Sequence, residues 1–524
     1  MTRGGILCCV AALALAPPAW AGPAGDAARA RSGLDRAAAS GSIAAFEAEE
    51  WKRVATDAAA TSARLGGSRG ANLAGALATV AAQSGSYDRA RAVTLFEMLR
   101  FNTQQLSAGE MPARDTDRRD ADGVVYRAVP GLGFQFHPLA SFGKLNAEVT
   151  AGRDAAAARL AWALLARARP VRAASLEWET YYRTSGGRPP WTSGMTQAVA
   201  AQALARAGFL PFARQAFAPV RARLLHGLPQ GPWIRHFHFG GDLVLNSQLQ
   251  AALSIAEYGR IAGDPAATAL AGRMRGAALA LLPRFDTGEW TRYALGGGDA
   301  EITYHGYVAS LLWKLQAATG NAEWGRWAAT FRDYWRAPPE IRPGPESPPA
   351  LPVPADGFRD EAEIRFWLSK PATVTLRIAG EARAQWFPAG DARLSWSPGT
   401  RPPGEYTVLL SAVDRAGNRS ERKLPPVRVE RDNEPPQLET VALDGEALSW
   451  QARDPQSPWV ELRLVLRRGA EAREVELGRR THSGSVAVDL PPKSWHATLV
   501  AADSAGNRAA AVVGTLNRPV RYAE

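Results

Sequence analysis

Tyr304 and His305 stand side by side at the head of an apolar run in which Val308, Leu311, Leu312 and Leu315 recur at helical spacing. The pattern predicts two proton-transfer side chains at a helix N-terminus, where unpaired N–H groups and the dipole favour negative charge. A buried tyrosine and an internally satisfied histidine would be the plain alternative. Three further clusters favour chemistry. The first runs from Tyr126-Arg127 through a glycine-rich stretch to His137-Pro138 and Asn146. The second holds Trp178, Tyr181 and Tyr182, then Arg188, Trp191 and a helix start. The third is Trp233-Ile-Arg235-His236-Phe-His238, followed by Leu245-Asn246. The stretch just before Tyr304 adds Trp290, Arg292 and Tyr293.

These residue types suit a carbohydrate acid. Histidine and tyrosine move protons. Arg127, Arg188, Arg235 and Arg292 can grip carboxylates bidentately. Trp191, Trp233 and Trp290 can stack on sugar rings, or simply pack. His236-x-His238 alternates as in a short strand, which would turn both rings the same way. No acidic third ligand accompanies them, so no metal is assigned. Nucleophile-elbow, P-loop and dinucleotide fingerprints are absent, and no cofactor is expected.

The elements that must position these clusters follow from periodicity. Residues 42–64, 71–84, 88–106, 138–149, 153–168, 193–208, 212–224, 246–262, 265–281 and 305–317 carry apolar residues at helical spacing. Gly85 separates two of these helices, and Pro283 is expected to end one. About ten helices within residues 33–335 point to an all-α toroid of paired hairpins, with the unusual residues on its joining loops. Residues 336–354 are proline-rich and predict an extended linker that spaces the next domains or straps along them.

Beyond the linker the period changes to two. Ile364–Leu368, Ala372–Ile378 and Tyr406–Leu410 alternate as strands do. The run from Tyr406 to Asp414-Arg-Ala-Gly-Asn418 is echoed by His496 to Asp503-Ser-Ala-Gly-Asn507, which predicts two tandem all-β sandwiches over 355–432 and 433–518. Asp-x-Ala-Gly-Asn reads first as a turn. One Asp and one Asn supply too few oxygens for calcium by themselves. The two copies resemble bacterial immunoglobulin-like modules.

Residues 1–21 have the form of a signal peptide: Arg3, an apolar core from Ile6 to Leu15, and Ala19-Trp20-Ala21 before Gly22. Cys8 and Cys9 fall inside it, so the mature chain would hold no disulfide, and the expected location is secreted or periplasmic. A net charge of +11 favours a polyanionic partner. The arginines are scattered and no nucleic-acid motif accompanies them, so an acidic polysaccharide is expected and nucleic acid is not. No transmembrane segment is expected. Assembly as a homodimer is compatible with this reading.

Taken in order, Gly131–Asn146, Gly186–Gln197, Val244-Leu245-Asn246, Pro283–Tyr293, Tyr304-His305 and Thr319-Gly320 resemble the D-glucuronyl C5-epimerase family over residues 35–335. The resemblance implies an (α/α) toroid that inverts C5 of uronic acids by removing a proton and returning it on the other face. It implies Tyr304 and Tyr293 as the acid/base pair, with His305 beside Tyr304 and His236 where the family carries a tyrosine. Arg292, Arg235, Arg188, His137, Trp191, Trp290, His238 and Asn246 are the expected substrate-binding residues. Two other outcomes stay open: β-elimination by a lyase with His236 or His238 as acid, and a glycan-binding scaffold without turnover.

Overall fold

The computed structural model describes residues 22–518, apart from residues 173, 185 and 492. The expected signal peptide lies outside the described residues. The chain divides into two units, one up to Trp335 and one from Arg336.

The described residues of the first unit hold helices α1 (Gly22–Ala39), α2 (Ala45–Leu65), α3 (Gly67–Ala81), α4 (Arg89–Ala108), α5 (Pro138–Thr150) and α6 (Asp154–Ala166), then α7 (Gly194–Arg206), α8 (Leu210–Arg223), α9 (Leu245–Ala262), α10 (Pro265–Phe285), α11 (Ile302–Thr319) and α12 (Ala322–Arg336). Alternate helices are neighbours: α5 lies against α7, α7 against α9, and α9 against α11. The intervening α6, α8 and α10 each pack on the helix before them. The sequence explains which helices go inside. From Gly194 to Ala205, α7 is buried at every position except Gln202, and it is built from Ala, Val, Leu, Met and small polar residues. Such a helix, apolar nearly all round, must be covered on all sides.

Three departures from the sequence expectation stand out. The helical region begins at Gly22, because α1 buries a stripe of Ala27, Ala30, Gly33, Leu34 and Ala37 that has almost no large apolar residue to announce it. α12 was not expected as a separate helix, yet it buries Trp324, Ala328 and Phe331. Pro283 does not end α10, which runs on to Phe285. A proline removes one N–H donor, and here only the final turn is affected.

Short hairpins fill the loops between helices: β1 (Asp117–Arg119), β2 (Val125–Val129) and β3 (Gly133–Phe136); β4 (Arg169–Arg172) and β5 (Ser175–Glu177); β6 (Leu225–Leu228) and β7 (Gly231–Ile234). At three to five residues they are too short to show an alternating pattern.

The second unit holds β8 (Ile341–Pro343), β9 (Ala362–Leu368), β10 (Ala372–Ile378), β11 (Glu381–Phe387), β12 (Gly390–Trp396), β13 (Gly404–Asp414) and β14 (Arg419–Val429), followed by β15 (Gln437–Asp444), β16 (Ala447–Arg453), β17 (Val460–Arg468), β18 (Glu471–Arg480), β19 (Ser483–Ala487), β20 (Lys493–Ala502) and β21 (Arg508–Arg518). The sheets β11-β10-β13-β14 and β12-β9-β8 share one core containing Ile364, Phe366, Val374, Leu376, Val408 and Leu410. The sheets β15-β16-β19 and β18-β17-β20-β21 share a second core around Trp450, Leu464 and Leu499. Burial alternates along β9 and β10, as two packed sheets require.

The proline-rich stretch is part of the first sandwich rather than a free spacer. Ile341 pairs with Leu368 at the sheet edge, and Ala350 bridges Val429. Proline suits such edge positions because only one side of the strand must donate.

Candidate active site

Three segments, far apart in sequence, converge on one cleft. His137, Thr180, Tyr182, Trp191, His236 and Phe237 line it. His137 caps α5: its Nδ1 accepts the N–H of Ala140 at 3.0 Å, which puts the proton of the neutral ring on Nε2. Trp191 is fixed by its indole N–H donating to the carbonyl of Tyr182 at 2.7 Å. Behind Thr180, Glu179 is buried and takes a bidentate pair from Arg91 at 2.7 and 2.9 Å. It also accepts from the Tyr181 hydroxyl at 3.0 Å. This charge-assisted cluster holds the lining segment in place.

Two glycines let the loops meet. A Cβ on Gly194 would lie 2.6 Å from the carbonyl oxygen of Arg235, and the Gly194 N–H donates to that same oxygen at 3.0 Å. A Cβ on Gly187 would overlap the Phe239 ring at 1.9 Å. Phe239 in turn stacks on Phe237. The second and third clusters are thereby locked together.

His236 and His238 do not alternate along a strand. β7 ends at Ile234, and the two histidines lie on the bend and turn that follow. His238 pairs with Thr192: its N–H donates to the Thr192 carbonyl at 2.9 Å, and its Nδ1 accepts the Thr192 N–H at 3.2 Å. Partial burial is the main influence lowering its pKa. His236 instead faces α9, with Nδ1 2.6 Å from Ser247 Oγ. Burial pushes its pKa down to about 4, so the ring is neutral at ordinary pH.

From His236 an aromatic path crosses to the tyrosines. The His236 ring meets Tyr293 edge-on at 6.4 Å, and Tyr293 meets Tyr304 edge-on at 5.0 Å. In the other direction His236 touches Phe237 at 4.1 Å, Phe237 touches Trp191 at 4.8 Å, and Trp191 touches Tyr182 at 5.9 Å. Tyr293 is seated by its backbone, whose carbonyl accepts the N–H of Leu245 at the start of α9. Beside it Asn246 is buried, and its Nδ2 has no hydrogen-bond partner.

His305 departs from its expected role. It is 0% exposed, stacked on Trp290 at 3.8 Å, with Nε2 2.6 Å from the Phe331 carbonyl oxygen. A carbonyl only accepts, so Nε2 carries a proton; Nδ1 of the neutral ring then accepts from Thr291 Oγ1 at 2.9 Å. Both ring nitrogens are engaged inside the fold, and His305 supports the loop rather than the reacting atoms. Trp290 departs likewise. It is 2% exposed and donates to the Ala300 carbonyl at 2.7 Å, so no face is left for a sugar. Trp233 is fully buried against Phe285.

The arginines divide. Arg127 is buried and held bidentately by Asp117 at 2.8 and 2.9 Å, which removes it from the carboxylate-binding set. Arg235 and Arg292 are half-buried, steadied by the carbonyls of Gly240 and Gly297. Arg188 lies exposed on its loop.

Residues 173–333 match the family model of the D-glucuronyl C5-epimerase C-terminus. Over that stretch the chain is similar to the D-glucuronyl C5-epimerase family. The matched stretch takes in Trp191, His236, Tyr293 and Tyr304, while His137 enters the cleft from outside it. No curated protein matches the chain. Among solved structures the chain is similar to an endo-β-1,4-glucanase from Acetobacter xylinum, with 16% identity, 33% of this chain and 56% of that chain covered, and a TM-score of 0.27. It is also similar to a sugar epimerase from a ruminal bacterium, with 9% identity, 47% and 72% of the two chains covered, and a TM-score of 0.32. The match thus spans little more than half the length of the glucanase.

Ser247 and Thr180 join the site without having been singled out for it. Ser247 is invisible in a one-dimensional reading because its role depends on a histidine eleven residues earlier across a loop.

Proposed function

We propose that the protein is a secreted or periplasmic uronate C5-epimerase acting on an acidic polysaccharide, with the helices of its first unit closing as an (α/α) toroid around the substrate. The observation that carries this reading is the edge-on Tyr293–Tyr304 pair with His236 next to it, on loops of the epimerase-family stretch. Epimerisation needs a group to take the C5 proton and a group on the opposite face to return one. Tyr304 and Tyr293 fill those roles. His236, neutral through burial, accepts a proton from or returns one to the neighbouring phenol without first having to lose a charge.

The carbanion formed at C5 is stabilised when its carboxylate is neutralised. Arg292 and Arg235 supply that charge, and Arg188 guides the polymer at the rim. Trp191, His137 and His238 shape the sugar subsite, and Asn246 orders the start of α9 beneath Tyr293. The reading involves no cofactor and no metal at this site. A homodimer is compatible with it.

The test is incubation of the purified protein with glucuronate-containing polysaccharides in D₂O, followed by NMR. Deuterium at C5 with a new iduronate signal is the expected result. An unsaturated uronate absorbing in the ultraviolet would assign a lyase instead. Binding without exchange on any acidic glycan would leave a glycan-binding protein.

A further inference from the structure

The two sandwiches carry the same turn and balance its charge differently. In the first, Asp414 accepts the N–H groups of Ala416 and Asn418 at 2.8 and 2.9 Å through Oδ1, and Asn418 Nδ2 at 2.9 Å through Oδ2. The carboxylate is buried, and Lys370 meets it: Nζ lies 2.7 Å from Oδ2 and 2.6 Å from the Ala337 carbonyl. Three parts of the chain meet there: the β13–β14 turn, the β9–β10 loop that supplies Lys370, and the segment ahead of β8 that supplies Ala337.

In the second sandwich the turn is rebuilt nearly atom for atom. Asp503 Oδ1 accepts the Asn507 N–H at 2.8 Å, and its Oδ2 accepts Asn507 Nδ2 at 2.8 Å. The corresponding loop, between β16 and β17, supplies Asp454 where the first sandwich has Lys370. The segment ahead of β15 supplies Asp432. One carboxylate oxygen from each of Asp432, Asp454 and Asp503 lies within 4.8 Å of the others. The three residues are only 6%, 7% and 3% exposed. Glu434, Gln456 and Ser457 donate backbone N–H groups to the Oδ1 atoms of Asp432 and Asp454. The Oδ2 atoms of both are buried with no hydrogen-bond partner.

Buried carboxylates without a counter-charge are costly, and mutual repulsion adds to the cost. The converging carboxylates, with two buried oxygens unpartnered, call for a cation. We propose that Asp432, Asp454 and Asp503 bind a divalent cation, calcium, at the position where the first sandwich holds the Lys370 ammonium. The donors are all hard oxygens, which suits calcium, and carboxylates can bind it one- or two-fold to reach its six to eight ligands. Gln456 Oε1, in the Asp454 loop, is also buried without a partner. Calcium here would tie the inter-sandwich segment to two loops of the second sandwich and so stiffen the joint. Sequence alone counted one Asp and one Asn in the turn; the fold brings two more carboxylates to it.

The test uses the full mature chain, stripped with EDTA and titrated with calcium chloride by calorimetry, with melting followed in parallel. One calcium per chain and a rise in the melting temperature are expected. Asp503→Asn should weaken binding at least about tenfold. Asp454→Lys should abolish it while the EDTA-treated variant melts no lower than the EDTA-treated parent, because the lysine restores the pairing of the first sandwich. Lys370→Met should leave calcium affinity unchanged. Absence of heat and of a melting shift up to about 10 mM, past the weak end of extracellular calcium modules, would overturn the proposal. So would binding that survives Asp454→Lys, or a preference for magnesium over calcium.

Discussion

His236 and His305 are the same residue in similar settings, each just after a loop of aromatics and close to a helix start, and the fold uses them in opposite ways. His305 lies under Trp290 with both nitrogens engaged by Thr291 and Phe331. His236 lines the cleft, has Nδ1 engaged by Ser247 and meets Tyr293 edge-on. In the proposed reaction the contrast separates holding a loop from acting on a substrate. What decides is the partner across the loop, not the residue type or its neighbours in sequence.

The comparison can be broken most sharply at the tyrosines. Tyr304→Phe or Tyr293→Phe should lower C5 exchange by about 10²–10⁴-fold, the range of a lost acid or base, with melting unchanged. His236→Gln should reduce kcat by about 10²-fold or more and leave KM nearly as it was. His305→Ala should do the reverse. Losing the Trp290 stack and two buried hydrogen bonds should cost about 3–4 kcal/mol of stability, measured by denaturant titration, with a smaller loss of exchange per folded molecule. If His305→Ala abolished exchange without moving the melting point, the division of roles drawn here would be wrong.

His236 also makes stability depend on pH. Its folded pKa of about 4 lies below the ordinary histidine value near 6.5. Between those values the unfolded chain binds more protons, so stability is complete above about pH 6.5 and falls on acidification towards pH 4. The loss should be on the order of 3 kcal/mol, and His236→Gln should flatten that part of the curve. The smallest effect belongs to Arg188. Exposed at the rim, Arg188→Ala should raise KM a few-fold and leave kcat and stability alone, because exposed ion pairs are worth about 1 kcal/mol or less.

Much of the architecture is legible in the sequence because periodicity is local. Ten of the twelve helices found among the described residues, and strands such as Ala372–Ile378, follow from apolar spacing alone. α1 was hidden because its buried face is mostly alanine and glycine. The proline-rich stretch gave no sign that Ile341 would pair with Leu368. In the site, the aromatic and histidine clusters are evident as composition, and their order carries the family resemblance. Which of them meet is not evident. Arg127 looks like a ligand for carboxylates until Asp117 is seen across the hairpin.

The amino-acid sequence by itself determined the helical and β regions, the repeated Asp-x-Ala-Gly-Asn turn, the basic charge and the inventory of proton-transfer residues. These rest on spacing and side-chain chemistry, which any short window reveals. Only the tertiary structure decided that Tyr293, Tyr304 and His236 lie together, that His305 and Trp290 are structural, and that three aspartates converge in one sandwich where a lysine serves in the other. Those outcomes depend on contacts between distant parts of the chain, where burial and the identity of the opposing group set what each side chain can do.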